Sequence, residues 1–356
     1  MLRKSRKAAH IKAALEVGDG PGSTGFEDVF LVHCCLPELT LDDVSTSTWF
    51  LGRAVGLPII INAITGGPDD TEKINAGLAE VAADLDIPMA VGSQTTALED
   101  PRAERTYRVV RKVNPKGLVM ANVGADVSPD WAKRAVEMIE ADALQVHLNA
   151  PQELFMNEGD RDFRGCLERI GQIVRTCGVP VIAKEVGFGV AAEEAAWLVE
   201  TGVQALDIGG KGGTNFIAIE AYRRGEKLDP GFLHWGIPTA VSLVEVAETV
   251  GEEVEVVASG GIRSGEDLVK ALALGARMVG MAGPLLRILA LEDVDALRNW
   301  LQSVGSNLKK YMLMMGAGDP SQLPGCRLVI TGRTAEWLQR RGYDINRFAC
   351  RTVPRT

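Results

Sequence analysis

Eight short apolar runs divide most of this chain, each with a glycine, a serine, an amide or a charge at or beside its C-terminal end. They span 58–63, 88–93, 118–123, 143–148, 180–185, 205–209, 255–260 and 278–282. Most are too short and too continuously apolar to be amphipathic helices, and they read as parallel strands buried on both faces. Between them the spacing predicts helices. One covers 71–85, with Ile74, Leu78, Val81, Ala82 and Leu85 on one face. Others cover 130–140, 163–177, 191–201 (stopped by Gly202), 237–250 and 266–274 (stopped by Gly275). Strand and helix alternating in this way predict a (β/α)8 TIM barrel, with an open doubly wound sheet as the alternative. A chain of 356 residues has the length of two domains, but an α/β barrel often spends about 250 residues on one.

A barrel's reactive groups lie at the C-terminal ends of its strands. Those ends carry Asn62 and Thr65, then Ser93, Asn122, Lys184 and Glu185, Asp207 and Thr214, Ser259 to Gly261, and Ala282 with Gly283. The fourth run is the richest: His147, Asn149, Gln152, Glu153, Glu158 and Asp160 fall within fourteen residues. A strand entering an ordinary polar loop would look similar, but polar ends from every strand would open onto one mouth. Loops after strands seven and eight are where barrels commonly hold a phosphate, and Gly260, Gly261 and Gly283 suit that use as well as they suit tight turns. Flavin mononucleotide fits such a mouth. Lys184 could then stabilise negative charge on a reduced flavin, or it could form an internal salt bridge with Glu185. Asn62, Thr65, Ser93, Asn122 and Thr214 would supply further hydrogen bonds. The glycines of 209–213 open what reads as a long loop reaching about Gly236.

A net charge of −9 argues against a general nucleic-acid surface. No apolar run reaches the roughly 18 residues of a membrane span. Six cysteines without a CxxC pair or a secretory leader read as free thiols in a reducing, cytoplasmic compartment. The first fifteen residues carry Arg3, Lys4, Arg6, Lys7 and Lys12 and no acid, a pattern open to an organelle transit peptide or a solvated basic tail.

Several motifs together resemble the type 2, flavin-dependent isopentenyl-diphosphate Δ-isomerases. They are Arg6-Lys-Ala-Ala-His10, the segment from Phe30 to Glu38, Asn62-Ala-Ile-Thr-Gly-Gly67, Val91-Gly-Ser-Gln94 and Lys184-Glu-Val-Gly-Phe-Gly189. Gly209-Gly-Lys-Gly-Gly-Thr-Asn-Phe216 and Ser259-Gly-Gly-Ile-Arg263 extend the match, although the latter occurs in other flavin barrels. The most specific are His147-Leu-Asn-Ala-Pro-Gln-Glu153 and Glu158-Gly-Asp-Arg-Asp-Phe163. Ile64 and Thr95 stand at positions where the family also uses Met and Arg, so no cation is carried over from the Thr95 loop.

The resemblance implies FMN contacts at Ala63, Ile64, Thr65, Ser93, Asn122, Lys184, Thr214, Gly260, Gly261, Ile262, Arg263, Ala282 and Gly283. It implies substrate contacts at Arg6, Lys7, His10, Ser93, His147, Asn149 and Gln152, with Glu153 as the Mg²⁺ ligand. Arg6 and His10 would share one helix face, which turns the basic N-terminus into a diphosphate clamp. The reaction implied is a 1,3-allylic proton shift between isopentenyl and dimethylallyl diphosphates. Reduced FMN would be the acid–base group, with Gln152, His147 and Glu153 as the catalytic side chains and NADPH or NADH keeping the flavin reduced. The chain would be a single barrel domain over 1–356, with a clamp segment over 1–50, the barrel over 51–290 and a helical extension over 291–356. The family also implies a homo-oligomer, a tetramer or octamer. Flavin oxidoreductases of the 2-hydroxy-acid or dihydroorotate type use the same barrel, but Gln152, Glu153 and the basic N-terminus would have no role there. A non-catalytic flavin scaffold would not need Lys184, Gln152 and Glu153 intact.

Overall fold

A computed structural model describes residue 13 and residues 16–351. Its centre is a closed barrel of eight parallel strands in chain order. These are β1 (Ile59–Ile61), β2 (Met89–Ala90), β3 (Val119–Gly124), β4 (Ala143–Leu148), β5 (Val181–Glu185), β6 (Ala205–Asp207), β7 (Glu255–Ser259) and β8 (Met278–Met281). Seven fall within the apolar runs of the sequence, and β3 extends one residue past its run, to Gly124. Closure comes from β8 pairing with β1, Val279 opposite Ile59 and Met281 opposite Ile61. The open-sheet alternative is therefore excluded.

Strand pleat sorts the side chains into two populations. Ile59, Ile61, Val119, Ala121, Leu144, Val146, Val181, Ala183 and Leu206 point outward and pack under the helical ring. Ile60, Ala90, Met120, Ala143, Ile182, Ala205, Val257 and Met278 point inward and fill the barrel floor. Phe50 and Val55 complete that floor from below. They come from a hairpin, Thr48–Phe50 with Arg53–Val55, that precedes β1.

The six expected helices form as Thr71–Asp84, Pro129–Met138, Cys166–Thr176, Ala192–Glu200, Thr239–Val250 and Gly265–Ala273. Gly202 and Gly275 take positive φ after two of them, as helix stops do. The stretch expected as a long loop from Gly209 to Gly236 instead contains the helices Phe216–Arg224 and Pro230–Leu233. Asn215 caps the first by accepting from the Ala218 N–H at 3.0 Å, and Gly225 ends it at φ 64°. After the barrel, a long helix, Val294–Met315, lies along the ring. The C-terminal extension also holds a strand, Leu328–Ile330, which pairs antiparallel with Val29–Leu31. No helix of the described residues is long and apolar enough to cross a membrane.

Candidate active site

The inward pleat that places Ile60, Met120, Ala143, Ile182, Ala205 and Val257 on the floor also decides what stands above it. Two residues further along each strand come Asn62, Asn122, Gln145, Lys184, Asp207 and Ser259, and all six are buried. Buried polar groups must find partners, and these find one another. Asp207 is the anchor. Its Oδ2 accepts from Lys184 Nζ at 2.8 Å and from Asn62 Nδ2 at 2.6 Å. Its Oδ1 accepts from the Ser259 hydroxyl and from the Gly209 N–H. Lys184 therefore pairs with Asp207 on the neighbouring strand. The alternative reading of Lys184, a salt bridge to Glu185, does not hold, because adjacent strand residues face opposite sides of the sheet.

From Asn62 the network continues around the barrel. Gln145 Nε2 donates to Asn62 Oδ1 at 2.9 Å, and Asn122 Nδ2 donates to Gln145 Oε1 at 3.0 Å. His147 Nδ1 lies 2.9 Å from Asn122 Oδ1.

Above this layer a cavity opens at the C-terminal ends of the strands. Of the expected cofactor contacts, Ala63, Ile64, Ser93, Asn122, Lys184, Thr214, Gly260, Gly261, Ile262, Arg263, Ala282 and Gly283 all line it, and so does His147. Thr65 does not. It is buried beside the lining, and its hydroxyl has no hydrogen-bond partner among the described residues. The loops after β6, β7 and β8 interlock through glycine. Gly260 has φ 110°, and a Cβ there would lie 1.9 Å from the Gly210 carbonyl oxygen. Gly261 has φ 75°, and its Cβ would lie 2.2 Å from the Gly212 oxygen. Only glycine allows both the left-handed backbone and the close approach. The helix Gly283–Leu291 begins at the cavity, presenting the N–H groups that intrahelical bonding leaves over. Arg263 crosses these loops, bonding the Gly212 oxygen and pairing with Asp19 at 2.7 Å.

The rest of the His147 motif is placed differently. A short helix, Ala150–Phe155, follows β4 where a polar loop was one expectation. Asn149, Gln152 and Glu153 do not line the cavity. Asn149 Nδ2 donates to Glu153 Oε1 at 2.7 Å, and the Asp160 N–H donates to Glu153 Oε2 at 3.0 Å. Gln152 is buried, and its Nε2 donates to Glu220 Oε1 at 3.1 Å. Glu220 is itself buried and paired with Arg223. Among the described residues no three His, Cys, Asp or Glu side chains cluster to hold a metal. Glu185, on the outer side of β5, accepts the Phe188 N–H at 2.6 Å and the Gly189 N–H at 3.1 Å. Burial pushes its carboxyl up to about 8 against those donors and Lys184. Arg6, Lys7 and His10 lie outside the described residues.

Gln145, Glu220 and Asp19 are site residues that sequence reading missed. Gln145 had a signal, being an amide inside an apolar strand with the same parity as His147. Glu220 lay in the stretch read as loop, and Asp19 reaches the site only through tertiary folding.

The residues present fit FMN. The buried cation at the floor suits the electron-rich end of a flavin, and the crowded glycine loops with a helix N-terminus suit its phosphate. Comparison with known proteins agrees. The family model for FMN-dependent dehydrogenases matches residues 101–329. The chain is 49% identical over 360 residues to an isopentenyl-diphosphate delta-isomerase of Symbiobacterium thermophilum, with 99% of each chain covered. It is 50% identical over 339 residues to one of Moorella thermoacetica, covering 95% of this chain and 97% of that one. Among solved structures, a mandelate oxidase bound to benzoyl-formic acid aligns with a TM-score of 0.66 at 20% identity, covering 90% and 94% of the two chains. A lactate oxidase of Pediococcus acidilactici aligns at 0.68 and 15% identity, covering 92% and 91%. At those identities the oxidases share the fold alone.

Proposed function

The chain belongs to the isopentenyl-diphosphate delta-isomerase family, and on that premise we propose that it interconverts isopentenyl and dimethylallyl diphosphates by a 1,3-allylic proton shift. One combination of features carries this reading. A cavity with a buried cation at its floor, Lys184, lies at the end of β4, and the short helix that follows β4 carries Gln152 and Glu153.

An alkene carbon is a very poor base, so a side-chain acid alone protonates it badly. Bound reduced FMN would supply an acid–base group at N5, with NADPH or NADH as its reductant. The protein's own residues do the positioning. Lys184, held by Asp207, keeps positive charge at the floor. Gly260, Gly261 and Gly283 leave room for backbone N–H groups to approach the cofactor phosphate, and Thr214, Ser93 and Asn122 add polar contacts. Arg6, Lys7, His10 and Asn149 hold the substrate diphosphate. Glu153 is a single carboxylate, and Mg²⁺ there would draw its other ligands from phosphate and water, as that ion commonly does. Glu220 fixes the amide of Gln152, which orients the alkene end or passes a proton. The reading includes a cytoplasmic homo-oligomer, a tetramer or octamer, which the mass in solution tests.

The deciding experiment is anaerobic turnover of isopentenyl diphosphate with FMN, Mg²⁺ and NADPH, read as dimethylallyl diphosphate formed. Product that requires both reduced flavin and Mg²⁺, and that is lost in Gln152→Ala and Glu153→Ala, supports the reading. A folded, flavin-loaded protein that makes no product overturns it and directs attention to 2-hydroxy-acid oxidation.

A further inference from the structure

The polar layer on the barrel floor has a direction. At one end stands Asp207, whose carboxylate only accepts hydrogen bonds. Asn62 must therefore turn its Nδ2 toward Asp207, at 2.6 Å. The Ala63 N–H fixes the same choice independently, because it donates to Asn62 Oδ1 at 3.0 Å. Reversing Asn62 would set oxygen against oxygen on one side and N–H against N–H on the other.

With Asn62 fixed, each later link has one possible sense. Gln145 must donate through Nε2 to Asn62 Oδ1, which leaves its Oε1 to face Asn122. Asn122 must donate through Nδ2 to that oxygen, which leaves its own Oδ1 to face His147. The group 2.9 Å from Asn122 Oδ1 is His147 Nδ1, so that nitrogen must carry a proton. A hydroxyl or a water in the chain could serve either sense. Three amides cannot, because each presents its donor and acceptor on different atoms.

We propose that Gln145 is a positioning residue for His147: as the middle link of a one-directional amide chain anchored on Asp207, it holds the imidazole as the Nδ1–H tautomer, with Nε2 as the accepting nitrogen. Gln145 does not line the cavity, whereas His147 does. Gln145 sits on β4 with the same inward parity as His147, and it is buried. A buried glutamine in an apolar strand costs stability unless its bonds are made, and here both amide ends are used. The second-layer bond of a histidine selects which ring nitrogen is basic. In this site Nε2 becomes the atom able to accept a proton or a hydrogen bond from a bound ligand. The relevance to proton transfer rests on the isomerase reading, but the tautomer does not.

The test is nitrogen NMR of the flavin-loaded protein labelled with ¹⁵N-histidine. The chain has four histidines, and His147→Gln identifies the wanted signals. On the alkaline plateau of the His147 titration, the wild type is expected to show a protonated Nδ1 and an unprotonated Nε2. Gln145→Met removes both amide bonds at similar volume, frees Asn122 to turn over, and should give a mixture of the two tautomers. A wild-type His147 protonated on Nε2 overturns the proposal, as does a Gln145→Met protein that keeps a pure Nδ1–H form. Should Gln145→Met fail to load flavin, the wild-type tautomer decides alone. Turnover plays no part in the readout, so failure of the isomerase reading remains separately visible.

Discussion

Lys184 Nζ stands 2.8 Å from Asp207 Oδ2, and the two buried residues are register partners on adjacent strands of the barrel. Removing one member of a buried pair leaves the other uncompensated, which typically costs about 3–5 kcal/mol. Lys184→Met is expected at the lower end of that range, because Asn62, Ser259 and Gly209 still donate to Asp207. Adding Asp207→Asn removes the uncompensated charge but sets an N–H against one of the remaining donors, Asn62 on one side or Ser259 and Gly209 on the other, so it should recover only part of the stability and none of the flavin affinity. Urea denaturation together with flavin titration checks both. A double variant that regains flavin binding would mean that the cation at the floor is not what the cofactor uses.

Gln152 sits outside the cavity lining, with its amide donated to Glu220. If it orients the alkene or relays a proton, Gln152→Ala should lower turnover by about 10²–10⁴-fold and leave the flavin spectrum and affinity as they are. Steady-state assay beside flavin titration separates the two. Equal loss of flavin and activity would make Gln152 a structural residue of the Ala150–Phe155 helix.

Much of this was legible in sequence, for identifiable reasons. The strands are buried on both faces, so Pro58 to Ile61 or Pro180 to Ala183 reads as an unbroken apolar run that ends in a polar side chain. Strand ends predict the mouth, because a barrel puts them all on one side. What the chain hides is pairing at a distance. Asn62 and Asp207 are 145 residues apart, and nothing local in either strand announces their 2.6 Å bond. The Phe216–Arg224 helix was hidden for another reason: the glycines of 209–213 made the whole stretch look like loop. Gln152 and Glu153 were visible as types, but their short helix turns them toward Glu220 and Asn149 and away from the cavity wall.

Gly261 and Gly178 have nearly the same backbone, φ 75° and 76°, in very different surroundings. A Cβ on Gly261 would meet the Gly212 oxygen at 2.2 Å, whereas one on Gly178 would meet nothing within 4 Å. Gly178→Ala should therefore cost only the left-handed strain, on the order of 1 kcal/mol, with flavin loading intact. Gly261→Ala carries the same strain and also pushes the loops after β6 and β7 apart, so flavin retention should fall sharply. The ratio of flavin to protein absorbance in the two purified variants is the measurement. Equal loading would remove the interlocked glycines from the cofactor site.

Glu185 gives the structure a pH signature. Burial raises its carboxyl from 4.5 to about 8, so between those values the folded chain holds a proton that the unfolded chain has released. Stability from this group is fully present below about 4.5 and is lost as pH rises through 8. One proton corresponds to a slope of at most about 1.4 kcal/mol per pH unit. Glu185→Gln keeps an oxygen for the Phe188 and Gly189 N–H groups and has nothing to titrate. Urea denaturation across pH 5 to 8 should show the wild type losing stability relative to Glu185→Gln. The gap between the two curves should close toward the acid end, where the wild-type side chain is protonated in both states. A gap that stays constant with pH would place the Glu185 carboxyl near its ordinary value and make its bonds to Phe188 and Gly189 those of a carboxylate throughout.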